Sequence, residues 1–284
     1  MEHHKILSNY KVWCGQCPSD QYVDFLGIFT PKWFWTGKRM DEVSENQYVE
    51  TTYPDFEEEY FEIIDLLEAI ECAGEKFTMI ELGAGFGRWS VKAIKAAELN
   101  RKQCKVTALE AEPAHYEMMF MHFHENGINP KEHQLLHLAV SARNESVNFI
   151  IGHADVWYGQ AIVPEGYVNC QMEYPDAEVV KIDAVTLDSL IEKDEIIDLI
   201  DMDIQGVEYD VLAPVIDLLD KSVKRIHIGT HGAEIEENLR NLFSSHGWIK
   251  KYDFECGKRM MTEYGEVEFC DGVQTWINPR LQLV

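Results

Sequence analysis

A glycine-rich segment near residue 83 has the spacing of a turn that could approach a ligand. Residues 80–88 read Ile-Glu-Leu-Gly-Ala-Gly-Phe-Gly-Arg, and they follow a short apolar run and precede a helical pattern. Glycine lets the backbone turn sharply and come close to a ligand without a side chain in the way. A dinucleotide-binding turn needs a third glycine at position 88, where this chain has Arg88. The spacing therefore argues against a pyrophosphate ligand.

Two carboxylates accompany this turn. Glu81 lies two residues before the first glycine, and Glu110 ends the next predicted strand, while Glu112 with Pro113 suits a helix start. A carboxylate about 20 residues beyond such a turn accepts hydrogen bonds from ribose hydroxyls. S-adenosylmethionine combines a ribose with a sulfonium cation and has no phosphate, so this pattern favours it. We predict that its site comprises Glu81, Gly83, Ala84, Gly85, Gly87, Arg88, Glu110 and Ala111.

Asp203 and His231 are the candidate catalytic residues. Each lies at or just beyond the carboxyl end of a predicted parallel strand, which is where open α/β sheets bind ligands. His231 could accept a proton from the methyl acceptor near neutral pH, or it could be a structural cap. Asp203 could orient the acceptor, bind a metal ion or cap the following helix. His227, inside the strand, is expected to be a buried sheet histidine.

The long segment 152–180 is expected to be an active-site insertion or a lid, because structureless loops of this length are uncommon in compact domains. We assign acceptor binding to Trp157, Tyr158 and Gln160 of this segment and to Gln205, which follows Asp203. Aromatic residues in such a loop could equally be packing anchors. Trp33 and Trp35 could also cover the acceptor.

No metal is expected at the site. Asp201 and Asp203 could supply oxygen ligands, but the sequence shows no obvious third partner for them. Cys14 and Cys17 form a lone Cys-x-x-Cys pair, and the other five cysteines do not supply a second pair at zinc-binding spacing. We therefore predict metal-independent chemistry and reduced thiols.

Alternating strand and helix patterns from about residue 76 onward predict a doubly wound α/β fold with a mostly parallel sheet. Residues 134–141 are predicted to form one strand, and residues 248–254 and 266–276 to form a terminal antiparallel hairpin joined by a polar turn. We predict a domain over residues 76–284 and an N-terminal helical and irregular extension or cap over residues 1–75. The extension ends in a helix that carries Tyr60, Ile63 and Ile64 on one face.

The net charge of the chain indicates which kinds of partner it can bind. The 284 residues include 50 Asp and Glu against 25 Lys and Arg, which gives a formal net charge of −25. Such a surface repels phosphate backbones and anionic membranes, so we expect a small-molecule acceptor and no nucleic acid. No apolar run is long enough to span a membrane, and the N-terminus lacks a signal-peptide pattern, so a cytoplasmic protein is expected. The oligomeric state stays open.

Between about Phe77 and His246 the sequence resembles the FkbM-type methyltransferases. The distinctive segments are Thr186-Leu-Asp-Ser-Leu190, residues 198–208 (Asp-Leu-Ile-Asp-Met-Asp-Ile-Gln-Gly-Val-Glu) and residues 226–232 (Ile-His-Ile-Gly-Thr-His-Gly). Members usually have Lys where this chain has Asp201, and the family Asp matches Asp203. The resemblance implies a class I, Rossmann-like fold and methyl transfer from S-adenosylmethionine, usually to a hydroxyl of a sugar or secondary metabolite. The alternatives are a catalytically silent cofactor-binding partner protein and a small-molecule N-methyltransferase.

Overall fold

The computed structural model of the chain describes residues 2–37, 46–169 and 174–281. Parts of the predicted extension (residues 1 and 38–45) and of the predicted insertion (residues 170–173, including Cys170) lie outside the described residues. Within the described ranges, no helix is both long and apolar enough to cross a membrane.

The elements occur in three groups along the chain. The N-terminal group comprises a 3₁₀ helix (Lys5–Asn9), β1 (Cys14–Cys17), β2 (Gln21–Val23), β3 (Phe29–Pro31), α1 (Trp33–Thr36), β4 (Gln47–Glu50) and α2 (Glu58–Cys72). The middle group comprises β5 (Lys76–Leu82), α3 (Arg88–Leu99), β6 (Gln103–Leu109), α4 (Pro113–Glu125), a 3₁₀ helix (Pro130–Glu132), β7 (Gln134–Leu136), β8 (Ala139–Val140), β9 (Glu145–Ile151), β10 (Ile162–Val163), β11 (Glu178–Val185) and a 3₁₀ helix (Leu187–Leu190). The C-terminal group comprises β12 (Leu199–Met202), α5 (Glu208–Leu212), a 3₁₀ helix (Ala213–Val215), α6 (Ile216–Ser222), β13 (Arg225–Thr230), α7 (Ala233–Ser245), β14 (Ile249–Phe254), β15 (Lys258–Thr262), β16 (Gly265–Phe269) and β17 (Gly272–Ile277).

The central sheet has seven strands in the order β14-β17-β13-β12-β5-β6-β7. The pairs from β13 to β7 are parallel, and β17 runs antiparallel to both β13 and β14. The chain leaves β5 toward β6 on one side and later returns to β12 on the other. Such a reversal of strand order opens a crevice at the carboxyl ends of the strands. This arrangement, with one antiparallel strand inserted near the C-terminal edge, confirms the predicted class I, Rossmann-like fold.

Two predicted strands are divided in the structure. The single strand expected over residues 134–141 is split, because β6 ends at Leu109 and leaves no ladder beyond Leu136. The chain then crosses over, and β8 pairs with β11 in a second, four-stranded sheet ordered β10-β9-β11-β8. The segment 266–276 is likewise divided into β16 and β17. The terminal hairpin is therefore formed by β14 and β17, and the expected simple turn carries its own hairpin of β15 and β16.

The N-terminal extension packs against the same core as the central sheet. The apolar face of α2 is buried as predicted, and Tyr60, Ile63 and Ile64 are each at most 5% exposed. Ile6 and Phe25 from the preceding segment belong to the same apolar cluster, which also contains residues of α3, β5 and β6. Because an amphipathic helix gains stability mainly by burying one face, this packing fixes α2 beside the carboxyl ends of the strands.

Candidate active site

The glycine turn joins β5 to α3 with the backbone close to a neighbouring loop. The amides of Gly83 and Ala84 both donate hydrogen bonds to the carbonyl oxygen of Leu109, at 3.1 and 2.9 Å. Gly83 has φ +81°, and a Cβ at this position would lie 1.8 Å from the carbonyl oxygen of Asp203. Only glycine fits there. By contrast, a Cβ on Gly85 would meet nothing closer than the Tyr158 ring at 3.7 Å.

A cavity of about 300 Å³ opens at the carboxyl ends of β5, β6 and β12, beside this turn. Its volume is at the lower end of the range of small-molecule sites. Most predicted cofactor residues line it, and so do Tyr158, Gln160, Asp203 and Gln205. Eight carboxylates line the cavity in all: Glu58, Glu59, Glu62, Glu81, Glu110, Asp201, Asp203 and Asp271. Among the described lining residues, Arg88 is the only lysine or arginine, so this cavity is strongly acidic.

Glu110 lies at the tip of β6, as predicted, and its side chain is buried beside the glycine turn. One carboxylate oxygen accepts a hydrogen bond from the Gly85 amide at 2.6 Å, and the other accepts from the Glu112 amide at 2.7 Å. Burial, only partly opposed by these bonds, raises the pKa of Glu110 to about 8. Glu112 caps α4 by accepting from the His115 amide at 2.7 Å, which agrees with the helix-start interpretation.

Glu81 lines the cavity, but it also caps a helix. Its carboxylate accepts hydrogen bonds from the amides of Trp89 and Ser90, at 3.2 and 3.0 Å, and from the Ser90 hydroxyl. These amides belong to the first turn of α3, where unpaired N–H groups favour a negative charge. Burial nevertheless raises the pKa of Glu81 to about 7. Any ligand bound by Glu81 therefore meets a carboxylate that already holds the start of α3 in place.

Gly87 and Arg88 differ from the other cofactor candidates in their contacts. Gly87 does not line the cavity, and its missing Cβ accommodates Met119 of α4, whose Cγ would lie 2.7 Å away. Arg88 lines the cavity, but its guanidinium forms two hydrogen bonds with Glu59 of α2 and lies 5.3 Å from the Trp35 ring centre. Both residues therefore hold the walls of the site together.

The sequence did not reveal that α2 supplies carboxylates to the cavity. Glu62 is hydrogen-bonded to Asp201, which lies opposite Glu81 in the parallel pairing of β12 with β5. Burial and the nearby negative charges raise the pKa of both Glu62 and Asp201 well above the usual range, so the pair holds a proton. The acidic run that starts α2 also suits the positive end of the helix dipole, so the sequence carried no signal of a ligand site there. Its helical spacing was visible in the sequence, but its orientation toward the sheet was not.

Asp203 and His231 are brought together, as their predicted positions on neighbouring strands required. The His231 Nε2 lies 3.3 Å from Asp203 Oδ1 and 3.5 Å from Asp271 Oδ1, while Nδ1 lies 2.6 Å from Glu208 Oε1. Burial lowers the pKa of His231, but the bond to Glu208 and the other carboxylates outweigh it and raise the pKa to about 9. The three carboxylates therefore favour a positive charge at the ring, as a proton or as a bound cation. This raised pKa disfavours the role of base near neutral pH, which is one of the two alternatives expected for His231.

The contacts of Asp203 and His227 also decide between some of the roles expected for these residues. Helix α5 begins at Glu208 with no side-chain cap, so Asp203 is not its cap. Instead, Asp203 accepts a hydrogen bond from the Gln205 side chain at 3.1 Å. His227 is 3% exposed and its Nδ1 lies 2.8 Å from Asp65 Oδ2, which confirms it as a buried sheet histidine.

The predicted acceptor residues of the insertion separate into two groups. Tyr158 stacks on His115 with ring centres 4.4 Å apart and donates a hydrogen bond to the carbonyl of Phe34 at 2.6 Å, so it covers the glycine turn. Gln160 is buried beside it. Trp157 does not line the cavity; it stacks on Tyr174, with ring centres 4.8 Å apart, as a packing anchor would. Trp35 of the N-terminal extension does line the cavity.

The structure gives Asp203 two potential metal-binding partners that the sequence did not make obvious. Asp271, which precedes β17, lies next to Asp203 and His231, and all three ligand atoms are within 4.8 Å of one another. The sequence separation of 68 residues between the two aspartates hid this contact, because nothing in the sequence indicated the position of the loop before β17.

Comparisons with known proteins give a family match and several similar proteins. A family model described as the methyltransferase FkbM domain matches residues 81–260. An inferred methyltransferase of Jannaschia sp. (strain CCS1) is 29% identical over 199 residues, which cover 66% of this chain and 67% of that protein. A crystal structure of the methyltransferase FkbM from Methylobacillus flagellatus KT is 14% identical with a TM-score of 0.47, covering 71% of this chain and 44% of that chain. The M. capricolum TrmK structure in complex with S-adenosyl-homocysteine is 9% identical with a TM-score of 0.37, covering 75% of this chain and 67% of that chain.

The family match covers well over half of the chain and includes the glycine turn, Glu110, Asp203 and His231. The sheet order and the position of the acidic cavity at the strand reversal agree with it. This protein is a methyltransferase that belongs to the FkbM domain family.

Proposed function

We propose that this protein transfers a methyl group from S-adenosylmethionine to a hydroxyl group of a small molecule in the cytoplasm. The observation that carries the proposal is the cavity at the strand reversal, where the glycine turn, the buried Glu110 and Asp203 meet. Open α/β sheets bind their ligands at this position. The net charge of −25 supports a small acceptor over a nucleic acid, because a phosphate backbone would be repelled.

The residues of the cavity fit a cationic nucleoside. Burial without enough compensating positive charge raises the pKa of Glu58 and Glu81 to about 7 and that of Glu110 to about 8. A ligand that carries a sulfonium and an ammonium group would supply the missing charge. The space in front of Gly85 lets a ligand approach the backbone, because among the described residues a Cβ there would meet only Tyr158.

Each residue has a distinct role in the proposed site. Glu110 would bind the ribose hydroxyls, and Glu81 and the Glu62–Asp201 pair would face the amino acid portion. When bound, S-adenosylmethionine supplies an activated methyl group. Asp203 lies at the rim of the cavity, 3.3 Å from His231 Nε2, and would accept a hydrogen bond from the acceptor hydroxyl. Alignment contributes roughly 7–11 kcal/mol to such reactions, more than a general base does.

The acidity of the cavity favours a hydroxyl over an amine as the acceptor group. Eight carboxylates around one arginine would hold an amine as its ammonium ion. An ammonium nitrogen has no lone pair with which to attack the methyl group. A hydroxyl oxygen keeps its lone pairs in the same surroundings.

Replacement of Glu110 by Ala is expected to weaken S-adenosylhomocysteine binding about 10- to 100-fold, since hydrogen bonds to a charged group contribute about 1.5–3 kcal/mol each. Isothermal titration calorimetry measures this effect. Glu112→Gln is the matched control, because its amide oxygen can still accept from the His115 amide and cap α4. Unchanged affinity in Glu110→Ala would show that Glu110 does not bind the ribose.

Replacement of Asp203 by Asn is expected to lower turnover by about 10²-fold while leaving S-adenosylhomocysteine affinity unchanged. The assay measures S-adenosylhomocysteine released with a panel of monosaccharides, glycosides and phenols. Asp210→Asn, on the exposed face of α5, is the control and should keep full activity. Tight cofactor binding without turnover of any hydroxylated compound would instead support the catalytically silent partner protein, and methylation of amines alone would support the N-methyltransferase.

A further inference from the structure

Three potential metal ligands meet at the rim of the cavity. Asp203 follows β12, His231 follows β13, and Asp271 precedes β17, so three adjacent strands place them at one end of the sheet. One ligand atom from each lies within 4.8 Å of the other two. The histidine is the deep member, with 12% of its side chain exposed, whereas the aspartates are 55% and 42% exposed. An ion could therefore reach the cluster from solvent.

The Nε2 atom of His231 is buried and has no hydrogen-bond partner among the described residues. The two nearest carboxylate oxygens, on Asp203 and Asp271, lie 3.3 and 3.5 Å away, which is longer than the usual N–H···O range of about 2.7–3.2 Å. Adjacent ligands that share one ion at about 2.0–2.2 Å are themselves about 2.8–3.6 Å apart, by the geometry of octahedral and tetrahedral coordination. Both distances from His231 to the aspartates fall in this range.

The other nitrogen of the same ring is held as a metal-binding histidine requires. His231 Nδ1 lies 2.6 Å from Glu208 Oε1, and that oxygen also accepts from the Gly206 amide at 2.9 Å. Metal-binding histidines usually donate their second ring N–H to such a carboxylate, which fixes the ring orientation and directs the free nitrogen at the ion. The Glu208 side chain is fully buried, so its carboxylate is fixed in this position.

We infer that Asp203, His231 and Asp271 bind one divalent first-row transition-metal ion, with its remaining coordination positions open to the cavity. Imidazole together with carboxylates suits such ions. The inference deepens the proposed function, on which its catalytic meaning rests, because an ion here would contact the acceptor hydroxyl and act as a Lewis acid. Binding of the ion itself does not depend on methyl transfer.

A second cluster of the same composition provides an internal comparison. Asp217, Asp220 and His246 also bring two carboxylates and a histidine together. Here His246 Nδ1 is bonded to Asp220 at 2.9 Å, and Asp220 also accepts from the Trp248 indole at 2.6 Å and pairs with Arg280. Because these partners already occupy the Asp220 carboxylate, we expect no ion at this cluster.

The test is a titration of the full chain with Mn²⁺ in the absence of S-adenosylmethionine. The electron paramagnetic resonance signal of free Mn²⁺ monitors the titration. We expect one bound Mn²⁺ per chain. His231→Gln and Asp271→Asn should each weaken binding at least about 10-fold, and Glu208→Gln about 10- to 100-fold. His246→Gln is the matched control and should bind Mn²⁺ as the wild type does. Asp271 is exposed enough that its substitution should leave the fold intact.

Parallel titrations with S-adenosylhomocysteine separate this inference from the proposed function. Failure to bind Mn²⁺ at millimolar concentration, or equal affinity in His231→Gln and Asp271→Asn, would overturn the metal site even if the nucleoside binds normally. Loss of Mn²⁺ in His246→Gln would overturn it as well. Specific Mn²⁺ binding without any nucleoside binding would support the metal site and contradict the proposed function instead.

Discussion

Replacement of Gly83 by Ala is expected to lower the free energy of unfolding by roughly 3–5 kcal/mol and to abolish detectable S-adenosylhomocysteine binding. The added Cβ would lie 1.8 Å from the carbonyl oxygen of Asp203, so the turn after β5 and the end of β12 would have to separate. The positive φ of Gly83 adds the strain of a left-handed conformation. Urea denaturation and calorimetric titration measure the two effects.

Gly85→Ala is the matched control for Gly83→Ala. Gly85 also has a positive φ, of +54°, but a Cβ there would meet nothing closer than Tyr158 at 3.7 Å. The free energy of unfolding of the Gly85→Ala variant should therefore fall by only about 1–2 kcal/mol, which is the cost of the left-handed conformation. Similar losses in the two variants would show that backbone strain alone matters, and that the close approach of the Asp203 carbonyl does not.

Asp65→Asn is expected to produce the second large effect, a loss of about 3 kcal/mol in the free energy of unfolding. The fully buried Asp65 carboxylate accepts hydrogen bonds from Arg225 and Lys251 at 2.9 and 2.8 Å. It also bonds to His227 and to the Thr275 hydroxyl, which ties α2 to β13 and β17. An amide would leave buried positive charge uncompensated. Chemical denaturation at pH 7 measures the change.

Glu68→Gln provides the comparison for Asp65→Asn. Glu68 also pairs with Arg225 and Lys251, but 23% of its side chain is exposed, so solvent can replace the lost interactions. We expect a loss of less than about 1 kcal/mol for this variant. An equal loss in both variants would show that burial of Asp65 does not determine the effect.

The contribution of Asp65 to the free energy of unfolding should also depend on pH. Burial opposes ionisation of Asp65, but Lys251, His227 and Arg225 together lower its pKa below the usual value. A carboxyl group whose pKa is lowered by folding stabilises the folded state above its unfolded pKa, which is about 3.9, and loses this effect as the pH falls further. The stability difference between wild type and Asp65→Asn should therefore be constant between about pH 5 and 7 and should shrink below about pH 4.

The sequence by itself determined the first strands of the parallel sheet, β5 and β6, and the first half of the site. Alternating apolar strands and amphipathic helices have periodicities that follow from local geometry, so β5, α3, β6 and α4 were predictable within a residue or two. The turn at Gly83 and the carboxylate at Glu110 were also predictable, because parallel strands place their carboxyl ends at one edge of the sheet. These features depend on residues close together in the chain.

Only the tertiary structure decided which distant residues join them. The carboxylates of α2 reach the cavity because the apolar face of that helix packs on the sheet, and Asp271 reaches His231 because β17 is inserted beside β13. The raised pKa of His231 follows from the three carboxylates that surround it, not from its position at a strand end. Electrostatic interactions depend on distance in space and not on distance along the chain. Asp271 lies 40 residues after His231 and 68 residues after Asp203, so the sequence did not reveal that these residues interact.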